Sequence, residues 1–146
     1  MTEDQYDEFV AKLEAKYPDL FTKPYGGVCV GPGWWTIIET LCAHIDEHVK
    51  FKNEQRDRWN RGDGCEPVTI AQIKEKFGGL RFYYDGGDSV VAGMVYMAEA
   101  WAAHSCEVCG NMGKSRSGGW IRTLCDKHEK AWQEDKSRAD VNQNPA

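Results

Sequence analysis

Four residues, Cys106, Cys109, Cys125 and His128, constrain the fold of this chain more than any other feature of its sequence. Their spacing is C-x2-C, fifteen residues, then C-x2-H. A two-residue gap lets two sulfurs converge on one metal ion from a tight turn, and Gly110 supplies the positive φ such a turn often needs. The spacer 110–124 carries Gly113, Gly118 and Gly119, flanked by Trp120, Ile121 and Leu124, which is chain enough for a hairpin returning to the metal. Cys125 and His128 then open a polar segment, 126–138, that reads as a helix. Residues three apart share a helix face, so both side chains can reach one ion. Knuckle, hairpin and two ligands from a first helical turn make a treble-clef arrangement. Protein fills all four tetrahedral positions, so the expected cofactor is one structural Zn2+ per chain. The plainer alternative is a set of unrelated thiols in a reduced core; the paired spacing favours the metal.

The other cysteines, Cys29, Cys42 and Cys65, are scattered singly, a poor pattern for a disulfide framework. The chain has no charged-then-apolar leader and no apolar run of the ~18 residues that a span requires. The expectation is a soluble protein of a reducing cytoplasm without a membrane partner. Apolar residues make up 41%, slightly below the globular norm, and six Trp, six Tyr and five Phe compensate through the large area each buries. The net charge of −5 disfavours a general duplex-DNA binder. Residues 104–138 hold seven Lys/Arg against five Asp/Glu, a balance of +2, so the remainder carries −7.

Apolar spacing at Tyr6, Phe9, Val10 and Leu13 predicts a helix from Asp4 to Lys16, ended by Tyr17-Pro18. Residues 22–27 read as loop, and Val28-Cys29-Val30 as a short strand closed by Gly31-Pro32-Gly33. A second helix is expected from Trp34 to about Lys50, with the stripe Ile37, Ile38, Leu41, Cys42, Ile45 and Val49. Residues 51–66 are polar and read as an exposed loop or flexible insertion. Two readings fit 68–77: a helix with a Thr69/Gln72 capping box and Ile70, Ile73 and Phe77 on one face, or a hairpin turning at Gly78-Gly79. Leu80 to Tyr84 is a strand in both. A third helix is expected from Asp88 or Ser89 to about His104, leading directly into Cys106. The fold class is therefore α+β: a helical and strand body over 1–103, a zinc module over 104–138 packed on it, and a disordered tail over 139–146.

Other constellations carry less. His44 and His48 lie four apart with Asp46 and Glu47 between them, yet they lack the order of a His-Glu-x-x-His hydrolase motif and flank the apolar stripe. His104 precedes the knuckle, but 110–124 contains no histidine of the kind a treble-clef nuclease uses. Lys114, Arg116 and Arg122 beside Trp120 can contact phosphate and stack on a base; the plainer reading packs Trp120 in the module and solvates the charges. Lys74, Lys76 and Arg81 read as a solvated face, Trp34-Trp35 as core caps, and Asp85-Gly86-Gly87-Asp88 as a turn with a helix N-cap. No phosphate-binding glycine loop, dinucleotide fingerprint or nucleophile elbow is present.

The run Gln72-Ile73-Lys74-Glu75-Lys76-Phe77-Gly78-Gly79-Leu80-Arg81-Phe82-Tyr83, then Met97-Ala98-Glu99, Cys106-Glu107-Val108-Cys109-Gly110 and Gly119-Trp120-Ile121-Arg122-Thr123-Leu124-Cys125-Asp126-Lys127-His128, resembles a group of small proteins encoded by bacteriophages and prophages. Gly31-Pro32-Gly33-Trp34-Trp35 to Leu41-Cys42 is similar to theirs as well. The resemblance covers most of 28–130 and implies an origin rather than an activity: an accessory phage protein made in a bacterial cytoplasm. Such proteins frequently bind and inhibit a host protein, often a defence effector. The leading expectation is a non-enzymatic, zinc-stabilised binder of a bacterial protein, with no small-molecule substrate. The alternative is a nucleic-acid-binding regulator using Lys114, Arg116, Trp120 and Arg122, and a third is an enzyme using His44, His48 and Glu47 with a second metal.

Overall fold

The structure is a computed structural model that describes residues 1–143. Helix α1 spans Glu3–Lys16. Its start is a capping box: the Gln5 amide donates to Thr2 Oγ1 and the Thr2 amide to Gln5 Oε1, with Glu3 and Asp4 at the positive end of the helix dipole. A 3-10 turn, Pro18–Phe21, follows and sinks Leu20 into the core. Strand β1, Val28–Cys29, pairs in parallel with the later segment Ile73–Lys74.

Helix α2 runs Trp35–Trp59, well past the expected end near Lys50. Ile37, Ile38, Leu41, Cys42 and Ile45 are its buried stripe. Beyond them the helix continues as a solvated rod carrying the i,i+4 pairs Lys50–Asp46 and Arg58–Glu54, at 2.9 and 3.0 Å. Only 60–68 forms the irregular connection expected over 51–66. Polarity without an apolar stripe concealed the helix. Asn60 stops it in the left-handed region at φ 51°.

The 68–77 segment is a strand: β2, Thr69–Lys76, makes an antiparallel hairpin with β3, Gly79–Asp85. Its helix-like pattern has a physical origin. The register shifts between Ile70 and Gln72, a bulge that inserts one residue, so Ile70 and Ile73 both face the core although they lie three apart. The turn residues are Phe77 and Gly78, not Gly78 and Gly79, because Lys76 pairs with Gly79. Both have positive φ, 53° and 77°, as in a type I′ turn.

Helix α3, Ser89–Ala102, is capped by Asp88, whose Oδ1 accepts from the Val90 and Val91 amides. Val91, Val95, Ala98 and Ala102 are buried, and Glu99 Oε2 accepts from the Phe82 amide, tying α3 to β3. The sheet order is β1-β2-β3, and one core joins α1, α2, the sheet and α3 around the fully buried Trp34, Ile38 and Ile73. Each such side chain contributes roughly 2–3 kcal/mol on burial. A second, two-stranded sheet, β4 (Lys114–Arg116) with β5 (Arg122–Leu124), leads into α4, Asp126–Gln143. The architecture is thus α+β. Helix α4 extends through 139–143, part of the segment expected to be a tail, while 144–146 lie outside the described residues. Among the described residues no helix is long and apolar enough to cross a membrane.

Candidate metal centre

Two backbone turns build the first half of the site. The Gly110 amide donates to Cys106 O at 2.8 Å and the Cys106 amide to Asn111 O at 2.7 Å, closing a knuckle with Gly110 at φ 81°. The Gly113 amide donates to His104 O, so the chain leaves the knuckle straight into β4. The second half comes from the end of β5, which presents Cys125, and the first turn of α4, which presents His128. The Glu107 amide donates to Thr123 O at 3.0 Å and stitches the halves together.

The four side chains converge as the spacing predicts. Their ligand atoms lie within 4.8 Å of one another, and none of the cysteines is in a disulfide. Cys109 Sγ is 3.8 Å from Cys125 Sγ, Cys106 Sγ is 3.6 Å from His128 Nδ1, and Cys125 Sγ is 3.1 Å from His128 Nδ1. Burial raises the pKa of the Cys106 thiol, but backbone hydrogen bonds at Cys125, Cys109 and Val108 and the neighbouring Cys109 thiol outweigh it and bring the group down to about 6. Amides trained on a buried sulfur favour the thiolate, the form a metal binds. The set can hold a metal ion.

The body is shaped to receive this knuckle. The Gly31 amide donates to Glu107 Oε2 at 2.9 Å, the Gly33 amide to Glu107 O at 2.7 Å, and Trp34 Nε1 to Ser105 O at 2.9 Å. A Cβ on Gly33 would fall 2.0 Å from Cys106 O and 2.6 Å from the Gly110 nitrogen. The β2–β3 turn makes a second contact, where Thr123 Oγ1 donates to Gly78 O at 2.6 Å. Nothing in the spacing of Gly31, Gly33 or Gly78 announced these contacts; the clue was glycine beside aromatic residues outside any regular element.

The residues singled out as a partner surface separate into two groups. Arg116 donates to Leu124 O and to Asp126 Oδ1, the latter at 2.8 Å, and Arg122 lies over the Trp132 ring and 3.9 Å from Glu107 Oε1. Both guanidiniums are thereby committed within the module. Lys114 and Trp120 face solvent. Trp120 is 67% exposed, the reverse of the packed position expected for it, and Trp132 is the tryptophan that the module's cations cover. Beside Trp120 lie Ile121 and Phe77, the latter 72% exposed, which with Glu75, Lys76 and Gly119 line a shallow groove between the β2–β3 turn and the 118–121 loop.

His44 and His48 do not act as a pair. His44 lines an apolar groove between α2 and α3 with Leu41, Met97 and Trp101, whereas His48 Nε2 lies 2.8 Å from Asp88 Oδ2. His104 is exposed. Compared with known proteins, the chain matches no family model, no curated protein and no solved structure.

Proposed function

We propose that Cys106, Cys109, Cys125 and His128 hold one structural Zn2+ in a treble-clef arrangement, and that the protein acts by binding another protein rather than by catalysis. Three thiolates and one imidazole are a zinc donor set, and bond lengths of about 2.3 Å to sulfur and about 2.0 Å to nitrogen give tetrahedral edges of about 3.8 and 3.6 Å. The Cys109–Cys125 and Cys106–His128 separations of 3.8 and 3.6 Å agree with those edges; the Cys125–His128 pair, at 3.1 Å, would open slightly around the ion. With four protein ligands the ion has no position left for a substrate or a water nucleophile, which supports a structural role.

Phe77 carries the binding reading. A solvent-exposed aromatic side chain at φ 53° occupies a backbone position that glycine or asparagine would fill without strain. Fold stability does not account for that choice, whereas an aromatic anchor for a partner does. Trp120 and Ile121 enlarge the same patch. The resemblance to phage and prophage proteins directs attention to a bacterial host protein, with inhibition, as of a defence effector, as the consequence. Nucleic acid is the weaker alternative, because two of the three hairpin cations are engaged internally.

The test is a tagged pull-down from bacterial lysate with and without nuclease. One protein recovered stoichiometrically after nuclease, and lost with Trp120→Ala, is the expected result. Recovery that disappears on nuclease treatment would overturn it in favour of nucleic acid.

A further inference from the structure

A second group of atoms of the kinds that ligate metals shares no residue with the first. His48 Nε2, Cys65 Sγ and a carboxylate oxygen of Asp88 all lie within 4.8 Å of one another. They come from three separate segments: the middle of α2, the irregular 60–68 connection, and the N-cap of α3. Sequence spacing gives no hint of the group, because the members are separated by 17 and 23 positions.

The positions are held independently of any ligand. Asp88 Oδ1 accepts from the Val90 and Val91 amides, which orients the carboxylate and leaves Oδ2 for His48 at 2.8 Å. The Cys65 amide donates to Asn53 Oδ1 at 2.8 Å, and the Gly87 amide to Glu66 O at 3.0 Å, so the loop is pinned on both sides of the thiol. Cys65 is 3% exposed, while the His48 and Asp88 side chains are 14% and 27% exposed. Such outer hydrogen bonds are what preorganises ligands around an ion.

We propose that His48, Cys65 and Asp88 form a second metal site, taking a borderline divalent transition metal of the zinc class through three protein ligands and one open position. One imidazole, one thiolate and one carboxylate suit Zn2+ or Co2+ and disfavour Ca2+ and Mg2+, which select all-oxygen shells. The His48–Asp88 separation is shorter than the ~3.3 Å edge expected between nitrogen and oxygen ligands of zinc, so binding replaces that hydrogen bond and spreads the pair. Three ligands and partial exposure make this ion more readily exchanged than one enclosed by three cysteines and a histidine. The site also closes the loop between α2 and β2, adding a link to the N-cap of α3 beside the Gly87–Glu66 hydrogen bond and the burial of Cys65 and Val68 in the core.

Metal content of the purified full chain after loading with Zn2+ tests the proposal, with Co2+ absorption identifying the ligands. About two Zn2+ per chain are expected for the native sequence and about one for Cys65→Ser or Asp88→Asn, each with unchanged far-UV circular dichroism; asparagine preserves the helix cap. Cobalt bound to the second site should show thiolate charge transfer that Cys65→Ser removes while the stronger bands of the three-cysteine centre persist. Binding that is the same in Cys65→Ser and Asp88→Asn as in the native chain would overturn the proposal. Failure of the zinc reading for Cys106, Cys109, Cys125 and His128 would be seen separately, as metal that Cys65→Ser abolishes altogether.

Discussion

Phe77 shows how a single position can depart from what the fold alone would select. It sits in the two-residue turn closed by Lys76 and Gly79, with Glu75 Oε1 accepting from the Gly78 amide at 2.7 Å, while its ring is 72% exposed and has the Lys76 ammonium 5.6 Å from its centre. Glycine there relieves the left-handed strain, an effect of about 1 kcal/mol, partly offset by a freer unfolded chain. Phe77→Gly is therefore expected to raise the melting temperature by about 2–4 °C and to weaken partner capture together. A lowered melting temperature would mean that the ring supports the fold, and Phe77 would no longer mark a partner surface. Buried cysteines illustrate the opposite case. Burial pushes the Cys42 thiol up to about 12 and the Cys65 thiol up to about 11, with nearby carboxylates adding to both, so neither is poised as a nucleophile in the metal-free chain.

Between elements, the decisive contact is the 31–34 segment against the knuckle. Gly31 and Gly33 let two backbones approach without intervening Cβ atoms, and the Trp34 indole spans from the body core to Ser105 O. Gly33→Ala must displace Cys106 O or the Gly110 nitrogen, both backbone atoms of the knuckle that carries Cys106 and Cys109. Chemical denaturation should show a loss of about 2–3 kcal/mol for it, at the upper end of ordinary overpacking. Gly93, which lies within α3 with open space around its would-be Cβ, supplies the contrast: Gly93→Ala should stabilise by about 0.5–1 kcal/mol. Equal effects at the two positions would show that the knuckle contact is loose. The same interface explains the grouping of the motif residues, since Gly31-Pro32-Gly33-Trp34, Phe77-Gly78 and Ile121-Arg122-Thr123 all meet at the border between body and module.

For the whole molecule, this border couples the candidate metal centre to the body. Residues 104–128 have a small core of their own, with Cys106, Thr123 and Leu124 buried, and a metal held by the proposed ligands would supply much of their folding energy. Chelation is expected to abolish amide-exchange protection over 104–128 and to reduce it over 31–34, where the Gly33 amide depends on Glu107 O. The β2 strand should keep its protection, because Ile70 and Ile73 belong to the body core. Unchanged exchange over 104–128 after verified metal removal would show that packing alone holds the module.

Elements whose signal is local or rigidly spaced can be read from the residues alone. The convergence of Cys106, Cys109, Cys125 and His128 was legible because groups that share one ion need short, fixed intervals, and α1, α3 and the buried half of α2 were legible because a core-facing helix repeats its apolar residues. The rest depends on how the chain packs. Past Val49 the outer half of α2 packs no apolar residue on the core and so leaves no stripe; the bulge in β2 imitates a helical period; and Phe77 takes the turn position expected of glycine. The convergence of His48, Cys65 and Asp88 arises from chain segments far apart in sequence, and proximity of that kind is set by packing of the core, which no local spacing encodes.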